Sequence, residues 1–384
     1  MDFNLPEELI ELKKSVREFV GNELLPIQQQ VEKEDKIPDE VLKKMASLGY
    51  FGFPFPEKYG GVEIGYLGYC LALEELGRAN AAYSNIIGAH TSIGSSSIYY
   101  GGNEAQKQKY LIPLAEGKKL AAFGLTEPGA GSDAAGIRTT AYKKGDHYYI
   151  NGQKIWITNG PYADVVVVYA STDKTLGPKG VSAFIVEKNF PGFVVGKTDE
   201  KMGLKGSHTC TLYFEDCEVP EENRIGPEGT GFYTAMKTLD GGRITLAAGA
   251  VGAAQALLDL SVKHATERVQ FGKPIGANQA IQWMLADMEV EIHAARLMTY
   301  HAAWKLDNGQ RVSHEAAMVK VYASEMANRV ADKALQIHGG LGYMQEYSIE
   351  RAYRDARILR IYEGTSEVQR MIIAEDLLKA VRKD

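Results

Sequence analysis

The sequence predicts an α+β chain in three parts: an N-terminal helical domain, a middle antiparallel β-barrel domain and a C-terminal helical bundle. Two observations predict it. Apolar residues recur at helical intervals at both ends of the chain, and short β-rich runs with tight-turn signals crowd about a hundred residues between them. The expected boundaries are 1–119, 120–230 and 231–384, the last of the four-helix-bundle type.

The first part opens with Leu9, Leu12, Val16, Phe19, Val20 and Leu24 at helical spacing, a helix over 7–25. Pro38-Asp39 starts another through Ala46, and 71–78 and 104–114 continue the pattern. Gly60-Gly61 and Gly101-Gly102 punctuate it. Residues 84–100 are rich in Ser, Gly, Ala and Thr, which suits close helix packing or leaves room for a ligand.

Near Leu120 the character changes. Tyr148-Tyr149-Ile150 and Lys154 to Thr158 flank Asn151-Gly152, a strong hairpin signal. Runs at 165–169, 181–186 and 211–214 add strands. From Gly231 the chain reads helical again: 232–269 in one piece or with a kink, then 277–308, then 313–337. The last of these carries a stripe of Val319, Ala323, Met326, Val330, Ala334 and Ile337. Helices over 348–362 and 366–383 finish the chain. Ser366 followed by Gln369 fits a capping box.

Composition narrows the function. With 384 residues, 45% hydrophobic and 24% charged, the chain can bury a large core. A net charge of -6 disfavours nucleic acid as a partner. Three cysteines (Cys70, Cys210, Cys217) without CxxC spacing, and no HExxH, give neither a disulfide framework nor a metal site. The most apolar run, 246–258, is short for a membrane span. The acidic start at Met1-Asp2-Phe3 is neither a secretory signal nor a transit peptide. A cytoplasmic location is therefore expected, or the mitochondrial matrix for a processed eukaryotic form.

Five stretches could carry chemistry. Leu125-Thr126-Glu127-Pro128-Gly129-Ala130-Gly131-Ser132-Asp133 exposes backbone N–H groups at a glycine-rich turn, yet lacks the spacing of a Rossmann fingerprint or a P-loop. Trp156-Ile157-Thr158 sets an aromatic face beside a hydroxyl. Arg268 and the cluster Gln336-Ile337-His338-Gly339-Gly340 sit at helix ends, where phosphate could bind. Asp240 and Arg243, three apart on a helix, can form an ion pair. Finally, Glu363-Gly364 falls at a break between two helices, where a side chain can point into a cavity. Alone, Glu363 reads as a solvated glutamate.

Together these motifs resemble the acyl-CoA dehydrogenase family. The glycine stretch is similar to its first signature, and Gln336 to Gly340 followed by Ile361-Tyr362-Glu363-Gly364-Thr365 to its C-terminal one. The resemblance covers the whole chain. It implies FAD, an acyl-CoA substrate, a homotetramer and electron transfer to electron-transfer flavoprotein. Glu363 would be the catalytic base. Phe123, Leu125, Thr126, Ser132, Trp156, Ile157 and Thr158 would hold the flavin, with Thr365 and Glu367 along the cofactor. Arg268, Phe271, Gln279, Gln336, Gly339 and Gly340 would reach the pyrophosphate and adenine end on an adjacent subunit. Ser132, Asp240, Arg243, Tyr362 and Gly364 would meet the substrate.

The implied reaction removes an α-proton to a base and a β-hydride to the flavin. The thioester carbonyl would be polarised by the glutamate's backbone N–H and a flavin ribityl hydroxyl. Some subfamilies place the base on the earlier helix. Here that position is Gly242, which cannot be a base. The expectation is a short-chain, short branched or medium-chain enzyme, with Leu239 to Ile244 looking most like butyryl-CoA dehydrogenases. The alternatives are an acyl-CoA oxidase-like enzyme using oxygen and a catalytically idle binding relative. Arg351, Arg354, Arg357 and Arg360, every third residue before the break, form salt bridges or a docking face, the first being favoured.

Overall fold

The computed structural model describes residues 4–381. Met1 to Phe3, part of the acidic start, and the final residues of the expected last helix lie outside them. The first part folds as helices α1 (Glu7–Phe19), α2 (Gln28–Glu34), α3 (Asp39–Ser47), α4 (Gly65–Gly77), α5 (Ala81–Ile87), α6 (Ser96–Gly101), α7 (Glu104–Gln106) and α8 (Ile112–Ala115). A π-helical segment, Gly88–Ser95, joins α5 to α6.

Strands β1 (Ala121–Gly124), β2 (Thr140–Lys144), β3 (His147–Thr158), β4 (Val165–Ser171), β5 (Val181–Glu187), β6 (Phe193–Thr198), β7 (Thr209–Pro220) and β8 (Arg224–Ile225) make one sheet. Its order is β6-β7-β3-β2-β4-β5-β8, with β1 paired in parallel to β4. Every residue of β4 is buried. Val165, Val167 and Tyr169 face a cluster shared with the helices, and Val166, Val168 and Ala170 face the sheet's own core. Two-sided burial explains its unbroken apolar run.

The expected hairpin at Asn151-Gly152 is not one. β3 runs straight through it, and the turn lies earlier, at Gly145-Asp146 between β2 and β3. Asn151-Gly152 instead marks a bulge against β7, where the register shifts between Ile150 and Gly152. Gly152 has φ 144°, and a Cβ there would lie 2.5 Å from Thr139 Oγ1. The glycine serves a kinked strand packed on a neighbour.

The third part is α9 (Gly231–Glu267), a two-stranded ribbon of β9 (Val269–Gln270) and β10 (Lys273–Pro274), α10 (Gln279–Asp307), α11 (Ser313–His338), α12 (Ser348–Ala356) and α13 (Ser366–Val381). α9 contains no proline and covers the expected 232–269 segment except its last two residues: Arg268 is extended and Val269 begins β9. By length and composition it could cross a membrane, but 67% of its most apolar window is buried inside the protein. Its apolarity serves the core. The expected stripe on α11 is buried throughout. Helices of the first and third parts share one apolar core, in which Val16, Leu24 and Tyr69 meet Ile244, Val251, Met288 and Val330.

The cysteines are free and buried. Three of the four stripe arginines engage the chain itself. Arg351 donates to Gln28 Oε1 (2.7 Å), Arg354 to Glu32, Glu350 and Met202 O, and Arg360 lies 3.9 Å from Glu325.

Candidate active site

Glu363 stands between a 3-10 turn, Arg357–Arg360, and α13. Its φ is 53° and that of Gly364 is 92°. Two successive left-handed residues swing the chain sharply, and a non-glycine there is strained. The expected capping box does not form. Thr365 caps α13 instead, its Oγ1 accepting from Val368 N at 3.3 Å. Gln369 turns back and donates to the carbonyls of Glu363 (3.1 Å) and Gly364 (3.0 Å). A Cβ on Gly364 would meet that amide at 2.6 Å, so glycine is needed for space as well as for φ.

Two cations complete the clamp. Lys320, wholly buried on α11, donates to Gly364 O at 2.6 Å. Arg243, buried on α9, donates to Glu363 O at 3.3 Å and to Asp240 Oδ1 at 3.0 Å. Asp240 also accepts from Ser313 Oγ at 2.6 Å. The Asp240–Arg243 pair is thus an internal brace, not a surface ion pair.

The break is held through its carbonyls, which leaves the Glu363 carboxylate free. Oε2 is buried and has no hydrogen-bond partner among the described residues. Burial pushes the carboxyl up to about 7, against the pull of Arg243 and Lys320. Gly242 lies directly against Oε2, and a Cβ there would collide with it. The absent side chain that rules Gly242 out as a base also makes the space that Glu363 occupies.

Glu363 opens into a cavity of about 1100 Å³. Its wall includes Phe123, Leu125, Thr126, Ser132, Trp156, Ile157, Thr158, Arg243, Tyr362 and Gly364. The glycine-rich loop is pinned from below by a buried pair that the sequence did not announce. Lys154 Nζ lies 2.7 Å from Glu127 Oε1, and Glu127 accepts from Arg138 N and Thr139 N. Lys154 also donates to Leu125 O at 3.1 Å. Beyond this pair β3 bulges again, Trp156 takes φ 57°, and its ring is 66% exposed.

Other expected site residues do not line the cavity. Asp240 is behind Arg243. Thr365 is half-buried at the α13 cap, and Glu367 is exposed. Arg268, Phe271, Gln279, Gln336, Gly339 and Gly340 are all exposed, at the ends of α9, α10 and α11. The structure does bring them near one another, since His264 stacks on His338 with ring centroids 4.4 Å apart. Phe271 and Gly272 form the turn between β9 and β10 with φ 50° and 78°, and the Phe271 ring is fully exposed.

Sequence reasoning missed Lys320, Gln369 and the Glu127–Lys154 pair. For Lys320 a signal existed: a lysine beside Val319 on the core-facing stripe needs a buried partner.

A helical–β–helical chain with a buried, unpaired carboxylate oxygen facing a deep pocket presents a candidate base beside room for a large ligand. Family models for the N-terminal, middle and C-terminal domains of acyl-CoA dehydrogenase match residues 6–118, 122–217 and 229–378. The chain belongs to the acyl-CoA dehydrogenase family. It is 47% identical to the short-chain specific acyl-CoA dehydrogenase of Clostridium acetobutylicum, over 99% of this chain and 100% of the relative. It is similar to the solved butyryl-CoA dehydrogenase of Megasphaera elsdenii, with TM-score 0.96, 46% identity and coverage of 98% and 100%. A chain in the structure described as the electron transferring flavoprotein of Acidaminococcus fermentans matches with TM-score 0.97, 48% identity and the same coverage.

Proposed function

We propose that the chain dehydrogenates a short-chain acyl-CoA between Cα and Cβ, giving the trans-2-enoyl-CoA, with FAD as cofactor and electron-transfer flavoprotein as acceptor. One observation carries this reading: Glu363 Oε2 is buried, unpaired and open to the cavity. A base for a weakly acidic α-proton needs those properties and a pKa near working pH. The value of about 7 meets that requirement.

The cavity wall suits a flat, partly polar ring. Phe123, Leu125 and Trp156 offer apolar faces, and Thr126 and Thr158 offer hydroxyls. FAD bound there would supply the hydride acceptor. The chain's residues do the rest. Glu363 takes the α-proton at Oε2. Lys320, Arg243 and Gln369 fix the break so that the carboxylate keeps its aim. Tyr362 and Gly364 bound the reacting end, and Ser132, with Arg243 braced by Asp240, meets the CoA side. Thr365 and Glu367, outside the cavity wall, would lie along a part of the cofactor that extends beyond it. Arg268, Phe271, Gln279, Gln336, Gly339 and Gly340 serve the cofactor of a neighbouring chain in a homotetramer, which accounts for an exposed aromatic at a hairpin tip.

The boundaries 1–119, 120–230 and 231–384 remain our division of the chain. Its short-chain relatives support the substrate class, and the Acidaminococcus match supports the acceptor. Three buried free thiols support a reducing compartment, cytoplasm or matrix.

Anaerobic addition of butyryl-CoA, followed by air, tests the reading. The flavin bleaches and reoxidises slowly if it holds. Rapid reoxidation with peroxide would make the chain an oxidase, and no bleaching would make it an idle relative.

A further inference from the structure

We infer that Lys154 is a positioning residue for the cofactor: with Glu127 it locks the Leu125–Thr126 peptide so that the Thr126 N–H stands in the cavity as a fixed donor to an electron-rich edge of the flavin. This rests on the reading that FAD lies against Phe123, Leu125, Thr126, Trp156 and Thr158. Lys154 itself is not part of the cavity wall. It acts through the peptide above it.

That peptide is held from the buried side. Lys154 is wholly buried, and its stem runs beneath β1, where a Cβ built on Gly124 would lie 3.6 Å from Lys154 Cγ. Nζ donates to Leu125 O at 3.1 Å. Next along the chain, Ile155 N donates to Thr126 O at 2.9 Å. Two successive carbonyls of the loop are therefore taken by two successive residues of β3. The start of β1 is tied as well, Ala121 N donating to His90 Nδ1 at 2.9 Å. The N–H between the two held carbonyls, that of Thr126, has no partner among the described residues. No peptide bond among them is cis, and in a trans peptide the C=O and N–H point in opposite directions. Leu125 O faces the buried ammonium, so the Thr126 N–H faces away from it, and Thr126 is half-buried in the cavity wall.

A pair that served packing alone would not need to be ionic. Burying two charges costs about as much as their attraction returns, so apolar side chains would fill the same space as well. What the ion pair adds is orientation and sign. Its positive end meets the loop carbonyl. Its negative end, 2.7 Å from Nζ, is turned to Arg138 N (2.6 Å) and Thr139 N (3.0 Å). An ammonium on the carbonyl polarises the peptide and strengthens its N–H as a donor. Hydride transfer adds negative charge to the acceptor, and a donor already in place stabilises that charge without reorganising. Lys154 thus favours the reduced cofactor over the oxidised one.

The test uses Lys154→Met/Glu127→Gln, in which the glutamine can still accept from Arg138 N and Thr139 N. The FAD affinity of the apoprotein and the midpoint potential of the bound flavin are read on the purified, folded protein. Affinity should fall by about tenfold, the scale of one hydrogen bond, and the potential should move to a more negative value. A merely structural role would lower Tm and leave the potential in place. Lys154→Gln, which keeps an N–H donor and loses the charge, is the second variant should the first not fold, and the same negative shift is expected. An unchanged potential in a folded variant would overturn the inference, whatever happens to Tm. Wild-type apoprotein that takes up no FAD would overturn the flavin reading and this inference with it.

Discussion

The Glu363 pocket and the rim around Arg268 are built on opposite plans. At the break the carbonyls of Glu363 and Gly364 have Lys320, Gln369 and Arg243 as donors, while the Glu363 Oε2 atom has no partner among the described residues. At the rim, Phe271 is fully exposed and Arg268, Gln279, Gln336, Gly339 and Gly340 face outward. On the proposed reading the pocket's chemistry is supplied by one chain, whereas the rim serves a neighbour's cofactor. Chemistry should therefore fail through single residues of the pocket, whereas cofactor retention should fail through assembly.

The largest effect expected is for Glu363→Gln. Turnover should fall by more than the roughly 10²–10⁴-fold typical of a general base, since the residue packed against the Glu363 carboxylate is Gly242, which has no side chain to replace it. Flavin and ligand binding should persist, read by absorbance and by a ligand-induced spectral shift. Near-normal turnover would sink the assignment. The same variant carries a stability test. Burial raises the Glu363 carboxyl to about 7, so the folded state holds a proton that the unfolded chain, with an ordinary glutamate, gives up earlier. Stability from this group is present at low pH and declines as pH rises from the ordinary glutamate range to about 7. Glu363→Gln should thus be the more stable protein above pH 7, by up to the order of 3 kcal/mol, measured as Tm against pH. An unchanged or lower Tm at pH 8 contradicts a strained carboxylate.

Next in size is Gly242→Ala. The new methyl collides with Oε2 and would also approach Ile93 Cγ2 to 2.8 Å, so the base must move. A displacement near 1 Å can cost about 10²-fold. kcat should fall with flavin content intact. Lys320→Met comes third. Wild-type kcat/KM should rise through an apparent pKa near 7, because the base works as a carboxylate. Lys320 pulls that pKa down, so removing it shifts the limb to higher pH. A limb that stays in place would show that Lys320 acts only through Gly364.

The contrast between pocket and rim also separates what the sequence disclosed from what it hid. Local patterns were legible: the α11 stripe from Val319 to Ile337, the two-sided Val run of β4, and the break at Glu363-Gly364. What failed were local signals overruled by distant partners. Asn151-Gly152 reads as a turn, but pairing with β7 pulls both flanks into one strand. Ser366 and Gln369 read as a capping box, but Gln369 is drawn to the carbonyls of Glu363 and Gly364 instead. Lys320 and Lys154 drew no functional reading from the sequence, because their partners, Gly364 O and Glu127, are remote along the chain. A carboxylate's environment is made by residues remote in sequence, such as Gly242, 121 positions before Glu363.

The rim supplies the last test, with the smallest expected effect on chemistry. Arg268→Ala removes a cation from an exposed helix end that carries no ion pair among the described residues, so the isolated chain should lose little stability. If the rim serves a neighbour's cofactor, the variant should instead shed flavin on dilution and shift toward smaller oligomers. Its remaining flavin-loaded fraction should keep near-normal kcat, because no pocket residue has changed. Flavin content after gel filtration and mass by light scattering measure both. Full flavin occupancy after dilution would show that the rim does not hold the cofactor, and an equal loss of kcat per flavin would show that pocket and rim are not independent.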